Sequence, residues 1–149
     1  MKKKIFIACD TTNIKKVKKI ISQSKSNKIK IGYKFGLEFM NSKNGRQFIS
    51  KLKKKIIFID LKLNDTVNTM VSAVKALKDL KVNYLTVHIS SGLPALKAVK
   101  KVSGSIKIIG VTTLTSLNNH DLKLIGYNKN VNSLVIHQAK LARKANLDA

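Results

Sequence analysis

The chain has 149 residues, and 30 Lys and Arg against 7 Asp and Glu give it a formal net charge of +23. Apolar residues make up 44% of the chain, which suffices for the core of one domain, and we expect that domain to span residues 1–149. The same composition excludes a disordered tail. A single cysteine excludes a disulfide scaffold and fits a reducing compartment. No apolar run approaches the roughly 18 residues of a membrane span, so we expect no membrane partner.

The positive charge is carried almost entirely by lysine, because Arg46 and Arg143 are the only arginines. Nucleic-acid interfaces favour arginine, whose planar fork binds phosphates and guanine edges bidentately. Aromatic residues make up 5% and tryptophan is absent, so platforms for base stacking are scarce. We therefore expect a solvated basic surface that binds no specific nucleic acid. A basic nucleic-acid-binding module is the alternative of another class.

The amino-terminal residues resemble the start of a signal peptide, since three lysines follow Met1 and an apolar stretch begins at Ile5. That stretch has only five residues and ends before Asp10, which is too short for the apolar region of a signal peptide. It is better interpreted as a first buried strand. We expect a cytoplasmic protein.

Short β-branched segments alternate with helical patterns along the chain, at the spacing of βα units. The predicted strands are Lys4–Cys9, Ile29–Gly36, Ile56–Leu61, Tyr84–Ile89 and Ile106–Thr112. Apolar residues at helical spacing predict helices over Ile14–Ile21, Phe48–Leu52, Met70–Leu80, Leu93–Val102 and Val131–Ala145. Residues Asn146–Asp148 would then lead into a sixth strand.

Near-continuous apolar strands joined by helices predict an α/β fold with a parallel sheet buried on both faces. Such a sheet is either open and doubly wound or closed into a barrel, and the order of strands and helices does not separate the two. The turn Asp10–Asn13 after the first strand contains no glycine, which argues against a dinucleotide-binding fold.

The seven acidic residues are unevenly placed, and three of them lie at or after the carboxyl ends of the first and third predicted strands. Asp10 follows the first strand, whereas Asp60 and Asp65 flank Lys62 at the end of the third. Catalytic groups of α/β folds gather at this edge of the sheet. A lysine between two carboxylates stays protonated and is a fixed proton donor, and strand alternation places Asp60 and Lys62 on one face. A structural ion-pair network at the strand end fits the same spacing.

The segment Asp60–Thr69, with D-x-K-x-x-D followed by x-x-N-T, resembles the signature of the orotidine 5′-phosphate decarboxylase family. Four further segments resemble that family in the same order along essentially the whole chain. They are Ile7–Asp10, Lys34–Phe39, Val87–Gly92 and Val111–Ser116.

The resemblance implies a (β/α)8 TIM barrel, of which this chain supplies about five βα units and the lead-in to strand 6. It implies decarboxylation of orotidine 5′-phosphate to UMP in pyrimidine biosynthesis, without metal or organic cofactor. Asp60 would face the substrate carboxylate, and Lys62 would stabilise and protonate the carbanion at C6. Asp65 would reach across a homodimer interface into the partner's site, together with Thr69.

The resemblance also implies which residues bind the substrate. Asp10, Lys34 and Thr69 would contact the ribose, and Thr115 and Ser116 would face the pyrimidine. The remaining implied substrate-binding residues are Thr66 and Asn68. Lys30-Ile31-Gly32 also matches the K-x-G pattern of the second strand, but no Glu follows it, so Lys34 is the preferred lysine.

The family's phosphate-binding residues lie in the last loops of the barrel, in P-G-x-R and G-R segments that the 149 residues do not contain. Because binding energy from the remote phosphate helps to organise the reacting centre, we expect this chain alone to show little or no decarboxylation.

A sister group on the same barrel shares D-x-K-x-x-D, namely the magnesium-dependent sugar-phosphate decarboxylases and enzymes that resemble hexulose-phosphate synthase. These carry a metal-binding Glu on the second strand and a Gly soon after the second Asp. Here Lys34 and Thr66–Thr69 occupy those positions, which favours the orotidylate enzyme.

Overall fold

The computed structural model of the chain describes residues 3–149, in which strands alternate with helices; Met1 and the adjoining Lys2, where the leader-like pattern begins, lie outside them. The strands are β1 (Lys4–Ala8), β2 (Lys30–Gly36), β3 (Ile56–Leu63), β4 (Tyr84–His88) and β5 (Lys107–Val111). The helices are α1 (Ile14–Gln23), α2 (Leu37–Asn41), α3 (Gly45–Ser50), α4 (Val67–Ala76), α5 (Leu93–Val102), α6 (Asn119–Leu124) and α7 (Val131–Lys144).

The five strands form one sheet in the order β1-β2-β3-β4-β5, with β1–β2 and β2–β3 paired in parallel. This arrangement confirms the predicted α/β class. The register places Ala8 opposite Lys34 and Gly36 opposite Asp60. The carboxyl ends of β1 and β2 therefore lie beside Asp60 at one edge of the sheet.

Several predicted boundaries differ from the structure. β3 continues two residues beyond its predicted end and includes Lys62. The helix predicted over Met70–Leu80 is divided into α4 and a 3₁₀ turn, Lys78–Leu80, which ends at Lys81 in a left-handed conformation. β4 likewise ends one residue early, in a second 3₁₀ turn, Ile89–Ser91. Helices α2 and α6, of five and six residues, were not predicted.

The chain divides into two compact units, the first formed by residues 3–61 and Ala76–Leu85. In this unit Tyr33 and Phe35 of β2 are buried with Ile57 and Ile59 of β3, and the Phe35 ring packs 4.8 Å from that of Phe39. The opposite face of the strands carries a cluster of half-buried rings. Its members are Phe6, Phe58 and Tyr84, with ring centroids 5.1 to 5.9 Å apart.

Gly32 of β2 shows how closely this ring cluster is packed. A Cβ atom at this position would lie 2.5 Å from the Phe6 ring, which is less than any ordinary contact. The expectation of a sheet buried on both faces is therefore only partly met in this unit, because Ile5, on the side of Tyr33, is 45% exposed and the rings on the side of Phe6 are half-buried.

The second unit comprises Lys62–Lys75 and Thr86–Ala149. Its core contains Val87 of β4, Leu96 and Val99 of α5, and Ile108 of β5. The predicted lead-in to a sixth strand is not assigned as a strand, but it runs beside β5. The Asp148 N–H donates to the Ile108 carbonyl at 2.9 Å, and the Gly110 N–H donates to the carbonyl of residue 149 at 2.7 Å.

Asp148 also anchors this segment through its side chain. Its carboxylate accepts hydrogen bonds from Lys100 Nζ at 2.5 Å and from the Ile108 N–H at 2.8 Å. Burial opposes the ionisation of Asp148, but these hydrogen bonds and the nearby lysine charges outweigh it, so its pKa is lowered. Asp148 therefore fixes the predicted lead-in segment beside β5.

Candidate functional site

The carboxyl end of β2 meets that of β3 in a half-buried ion pair. Lys34 Nζ donates to Asp60 Oδ2 at 3.1 Å, with 31% of the lysine side chain and 12% of the aspartate side chain exposed. The parallel register places Gly36 opposite Asp60, so Lys34 reaches forward along the strand to its partner. A Cβ on Gly36 would lie 3.9 Å from Asp10 Oδ1, which brings the carboxylate of Asp10 to the same edge. The structure therefore gathers Lys34, Asp60 and Asp10 in the first unit, and leaves Lys30 exposed.

Lys62 has a backbone conformation that the sequence did not predict. Its φ angle is +48°, in the left-handed region, although it lies inside β3. For a residue with a Cβ this conformation costs roughly 1–2 kcal/mol, because the Cβ approaches the following carbonyl oxygen. The alternation rule from which Asp60 and Lys62 were expected on one face therefore does not apply, since it requires an extended backbone at both residues.

The N–H group of Lys62 is held by a buried hydroxyl. It donates to Thr86 Oγ1 of β4 at 2.8 Å, and only 4% of Thr86 is exposed. A hydroxyl in so buried a position requires polar partners, and the Lys62 N–H is one of them. The sequence analysis missed Thr86. Its one signal is a hydroxyl residue between the apolar Leu85 and Val87 of a buried strand.

A polar cluster follows β4 in the same unit as Lys62. His88 Nδ1 lies 2.6 Å from Ser90 Oγ, and Ser90 Oγ in turn donates to Asn64 Oδ1 at 3.4 Å. Partial burial, and then the positive charge of Lys62, lower the pKa of His88, so its neutral form is favoured near pH 7. The cluster connects the end of β4 with the segment after β3, and Ser90 is a second residue that the sequence analysis missed.

The predicted residues of the β3–α4 segment lie together at the start of α4. The Asp65 carboxylate accepts the Thr66 N–H at 2.6 Å, and Thr66 Oγ1 lies 3.0 Å from Thr69 Oγ1. All three residues are exposed, as is Asn68 in the first turn of the helix. Their polar atoms are therefore accessible to a ligand or to a second subunit.

The other predicted residues occupy the loops that follow β1 and β5. Asp10 is exposed beside the buried Cys9, whose pKa is raised to about 11 by burial and then by the Asp10 charge. Thr115 and Ser116 are exposed between β5 and α6. A hydrogen bond fixes the start of their loop to helix α7, since Thr113 Oγ1 donates to Oε1 of the buried Gln138 at 3.1 Å.

Three further features of the described residues bear on the kind of site. Among residues 3–149, no three His, Cys, Asp or Glu side chains gather as a metal site would require. Within the same range, no helix is long and apolar enough to cross a bilayer. A cavity of about 660 Å³ lies between α1 and α3 and contains none of the predicted site residues. It is lined in part by Lys18, Lys25, Lys51 and Lys55.

Comparison with known proteins identifies relatives named orotidine 5′-phosphate decarboxylase. Orotidine 5′-phosphate decarboxylase of Wolbachia pipientis subsp. Culex pipiens (strain wPip) is 42% identical over 148 residues, which cover 96% of this chain and 64% of that protein. The enzyme of Wolbachia sp. subsp. Brugia malayi (strain TRS) is 38% identical, with the same coverage of both chains. The chain thus spans less than two thirds of the length of these curated relatives.

A solved structure supports the same assignment. The crystal structure of orotidine 5′-phosphate decarboxylase from Lactobacillus acidophilus superposes with a TM-score of 0.86 at 29% identity, covering 98% of this chain and 69% of that one. The likeness confirms the predicted fold class, βα units of a TIM barrel. The sequence profile of the orotidine 5′-phosphate decarboxylase / HUMPS family matches residues 3–149. Since that match spans almost all of its residues, the chain belongs to the orotidine 5′-phosphate decarboxylase / HUMPS family.

Proposed function

We propose that the chain carries the charged centre of an orotidine 5′-phosphate decarboxylase. The observation that carries the proposal is the Lys34–Asp60 ion pair at 3.1 Å. Asp60 lies near the carboxyl end of β3, and Lys62 follows it two residues later on the same strand. The names of the relatives supply the substrate. The ion pair also fits the alternative left open by the sequence, a purely structural network, and the experiment below separates the two.

The reaction requires one bond to break and one to form at C6 of the pyrimidine. As the bond between C6 and the carboxylate breaks, CO2 leaves and the electron pair stays on C6. The Asp60 carboxylate would face the substrate carboxylate, and like charges at close range disfavour the bound ground state. The Lys62 ammonium would stabilise the carbanion and then donate its proton to C6, giving UMP and a neutral amine that solvent reprotonates. These steps need no metal and no organic cofactor.

The remaining residues would bind the substrate and complete the site. Asp10 and Lys34 would hold the ribose hydroxyls, and Thr115 and Ser116 would contact the pyrimidine. Accessible polar atoms at the start of α4 support the proposal that the chain works as a homodimer, with a contribution to the partner's site. Asp65 and Thr69 would make that contribution, with Thr66 and Asn68 beside them. We place the reaction in the cytoplasm on the sequence argument alone.

The sister activity is the second candidate, because the family description includes HUMPS enzymes. A magnesium-dependent sugar-phosphate decarboxylase requires carboxylate oxygen ligands for its metal. Here a lysine, Lys34, stands at the second-strand position where that group carries its Glu, and it is already paired with Asp60. A cation at this position disfavours Mg²⁺, so the orotidylate reaction is the better fit.

The test joins residues 1–149 to the carboxyl-terminal third of the Wolbachia wPip relative, which supplies the part of the barrel that the match does not cover. We expect this chimera to convert orotidine 5′-phosphate to UMP in EDTA, and its Lys62→Ala variant to lose at least about 10²- to 10⁴-fold in kcat, the usual contribution of a general acid. A Lys30→Ala variant is the matched control on the exposed lysine.

The 149-residue chain assayed alone is the second arm, and we expect little or no turnover from it. A folded chimera that does not decarboxylate orotidine 5′-phosphate would refute the proposed function. Activity that appears only with Mg²⁺, or with a sugar phosphate as substrate, would establish the sister activity instead.

A further inference from the structure

We propose that Thr86 is a positioning residue for Lys62: its buried hydroxyl holds the Lys62 backbone in the left-handed conformation and so directs the lysine side chain. The claim that the direction of the Lys62 side chain matters for the reaction rests on the proposed function. The hydrogen bond and the backbone conformation do not depend on it, and they can be tested separately.

The first observation is the position of the unusual backbone. Four residues other than glycine have positive φ among residues 3–149, namely Lys54, Lys62, Lys81 and Asn146. Three of them lie in turns between elements, where left-handed residues are common, whereas Lys62 lies inside β3. A lysine held in this conformation within a strand needs local interactions that compensate for it.

The second observation is the hydrogen bond that meets this requirement. The Lys62 N–H donates to Thr86 Oγ1 at 2.8 Å, so a side chain receives it. Thr86 lies in β4 between Leu85 and Val87, which are both fully buried. The Thr86 side chain is therefore fixed by its surroundings, and the position of its oxygen cannot adjust freely to a moving partner.

The consequence for Lys62 follows from backbone geometry. The direction of the Cα–Cβ bond depends on φ, and a change from the left-handed to the extended region turns the side chain to the other face of the strand. Removal of the Thr86 oxygen would favour the extended conformation at Lys62. The ammonium group at the end of that side chain would then move away from its present position, although no residue proposed to touch the substrate has been replaced.

The test uses two variants of the 149-residue chain. Thr86→Val has nearly the same shape but no oxygen, and Thr86→Ser keeps the hydroxyl. In ¹⁵N-labelled protein we expect the Lys62 amide to exchange with solvent roughly tenfold faster in T86V, as the loss of one hydrogen bond predicts. We also expect the NMR coupling constant that reports the φ angle of Lys62 to shift toward its value for an extended backbone. In T86S both should stay close to wild type. The amide of the buried Leu96, which donates to the Gly92 carbonyl at 3.1 Å in the same unit, reports whether the stability of that unit has changed.

An unchanged Lys62 amide and coupling in a folded T86V chain would overturn the proposal. If T86V does not fold, amide exchange is measured in the wild-type chain instead. A Lys62 amide that exchanges as fast as the solvent-exposed amides of the same segment would also overturn the proposal. A third arm introduces both variants into the chimera. There we expect T86V to lower kcat with little change in KM, and T86S to restore kcat. A wild-type chimera without turnover refutes only the proposed function, because the amide measurements still test the role of Thr86.

Discussion

Lys34 and Asp60 form an ion pair across the parallel β2–β3 ladder, with Nζ 3.1 Å from Oδ2 and the aspartate side chain only 12% exposed. The two residues are 26 positions apart in the chain and meet because the register sets Gly36 opposite Asp60. The pair combines a mostly buried carboxylate with a cation that is more accessible to solvent. It is therefore the best place at which to separate a structural role of this strand end from a functional one.

We expect Lys34→Met to destabilise the chain by about 1–3 kcal/mol, because it removes a charged hydrogen-bond donor and leaves the largely buried Asp60 carboxylate without it. Equilibrium urea unfolding measures the loss. Lys30→Met, on the same strand but exposed, is the matched control and should change stability by less than about 0.5 kcal/mol.

A double-mutant cycle with Asp60→Asn isolates the pair itself. If Lys34→Met and Asp60→Asn add without coupling, the ion pair contributes nothing to stability. The geometry of the pair would then have to be explained by ligand binding alone.

Removal of the Lys62 charge should raise the pKa of His88. Partial burial lowers that pKa below its ordinary value of 6.5, and the Lys62 charge lowers it further, so Lys62→Met removes the second cause and leaves the first. An NMR titration of the His88 imidazole measures the change. Lys97→Met, at an exposed position on α5, is the control and should leave the titration where it was.

The lowered pKa of His88 also determines how the stability of the chain depends on pH. Because the folded state binds a proton at His88 less readily than the unfolded state, stability at this site falls as the pH decreases through 6.5. Lys62→Met should weaken that dependence. An unchanged titration of His88 in Lys62→Met would show that the lysine ammonium lies too far from the imidazole to act on it.

Asp148→Asn should destabilise the chain at neutral pH and have little effect in acid. The carboxylate accepts bonds from Lys100 and the Ile108 N–H, and its folded pKa lies below the ordinary 3.8. Its contribution is therefore present above the unfolded pKa and disappears as the pH falls through the folded one. We expect a loss of about 1–3 kcal/mol at pH 7, measured by urea unfolding, that shrinks steadily below pH 4.

Asp79→Asn is the control for this measurement. Asp79 pairs with Arg46, but its side chain is 63% exposed, and exposed ion pairs contribute roughly 0–1 kcal/mol to stability. Equal losses for Asp148→Asn at pH 7 and pH 3 would show that the carboxylate charge is not what anchors the segment beside β5.

The order of strands and helices could be predicted from the sequence, because apolar periodicity is a local property of the chain. All five strands lie within one or two residues of their predicted ends, and the helices of Ile14–Ile21, Leu93–Val102 and Val131–Ala145 are present. The exceptions are short or interrupted segments. The six residues of α6 show no stripe, although Asn118 and Asp121 form a capping box that marks its start.

The sequence by itself also determined the family, since the D-x-K-x-x-D segment and four further motifs follow in register along the chain. Only the tertiary structure decided which groups meet. The pairing of Lys34 with Asp60 depends on the register of two strands, and the bond from Lys62 to Thr86 depends on a left-handed φ that no residue pattern encodes for lysine. Periodicity reports which face of an element is buried. Partners far apart in the chain, and the sign of one backbone angle, are set by packing between elements.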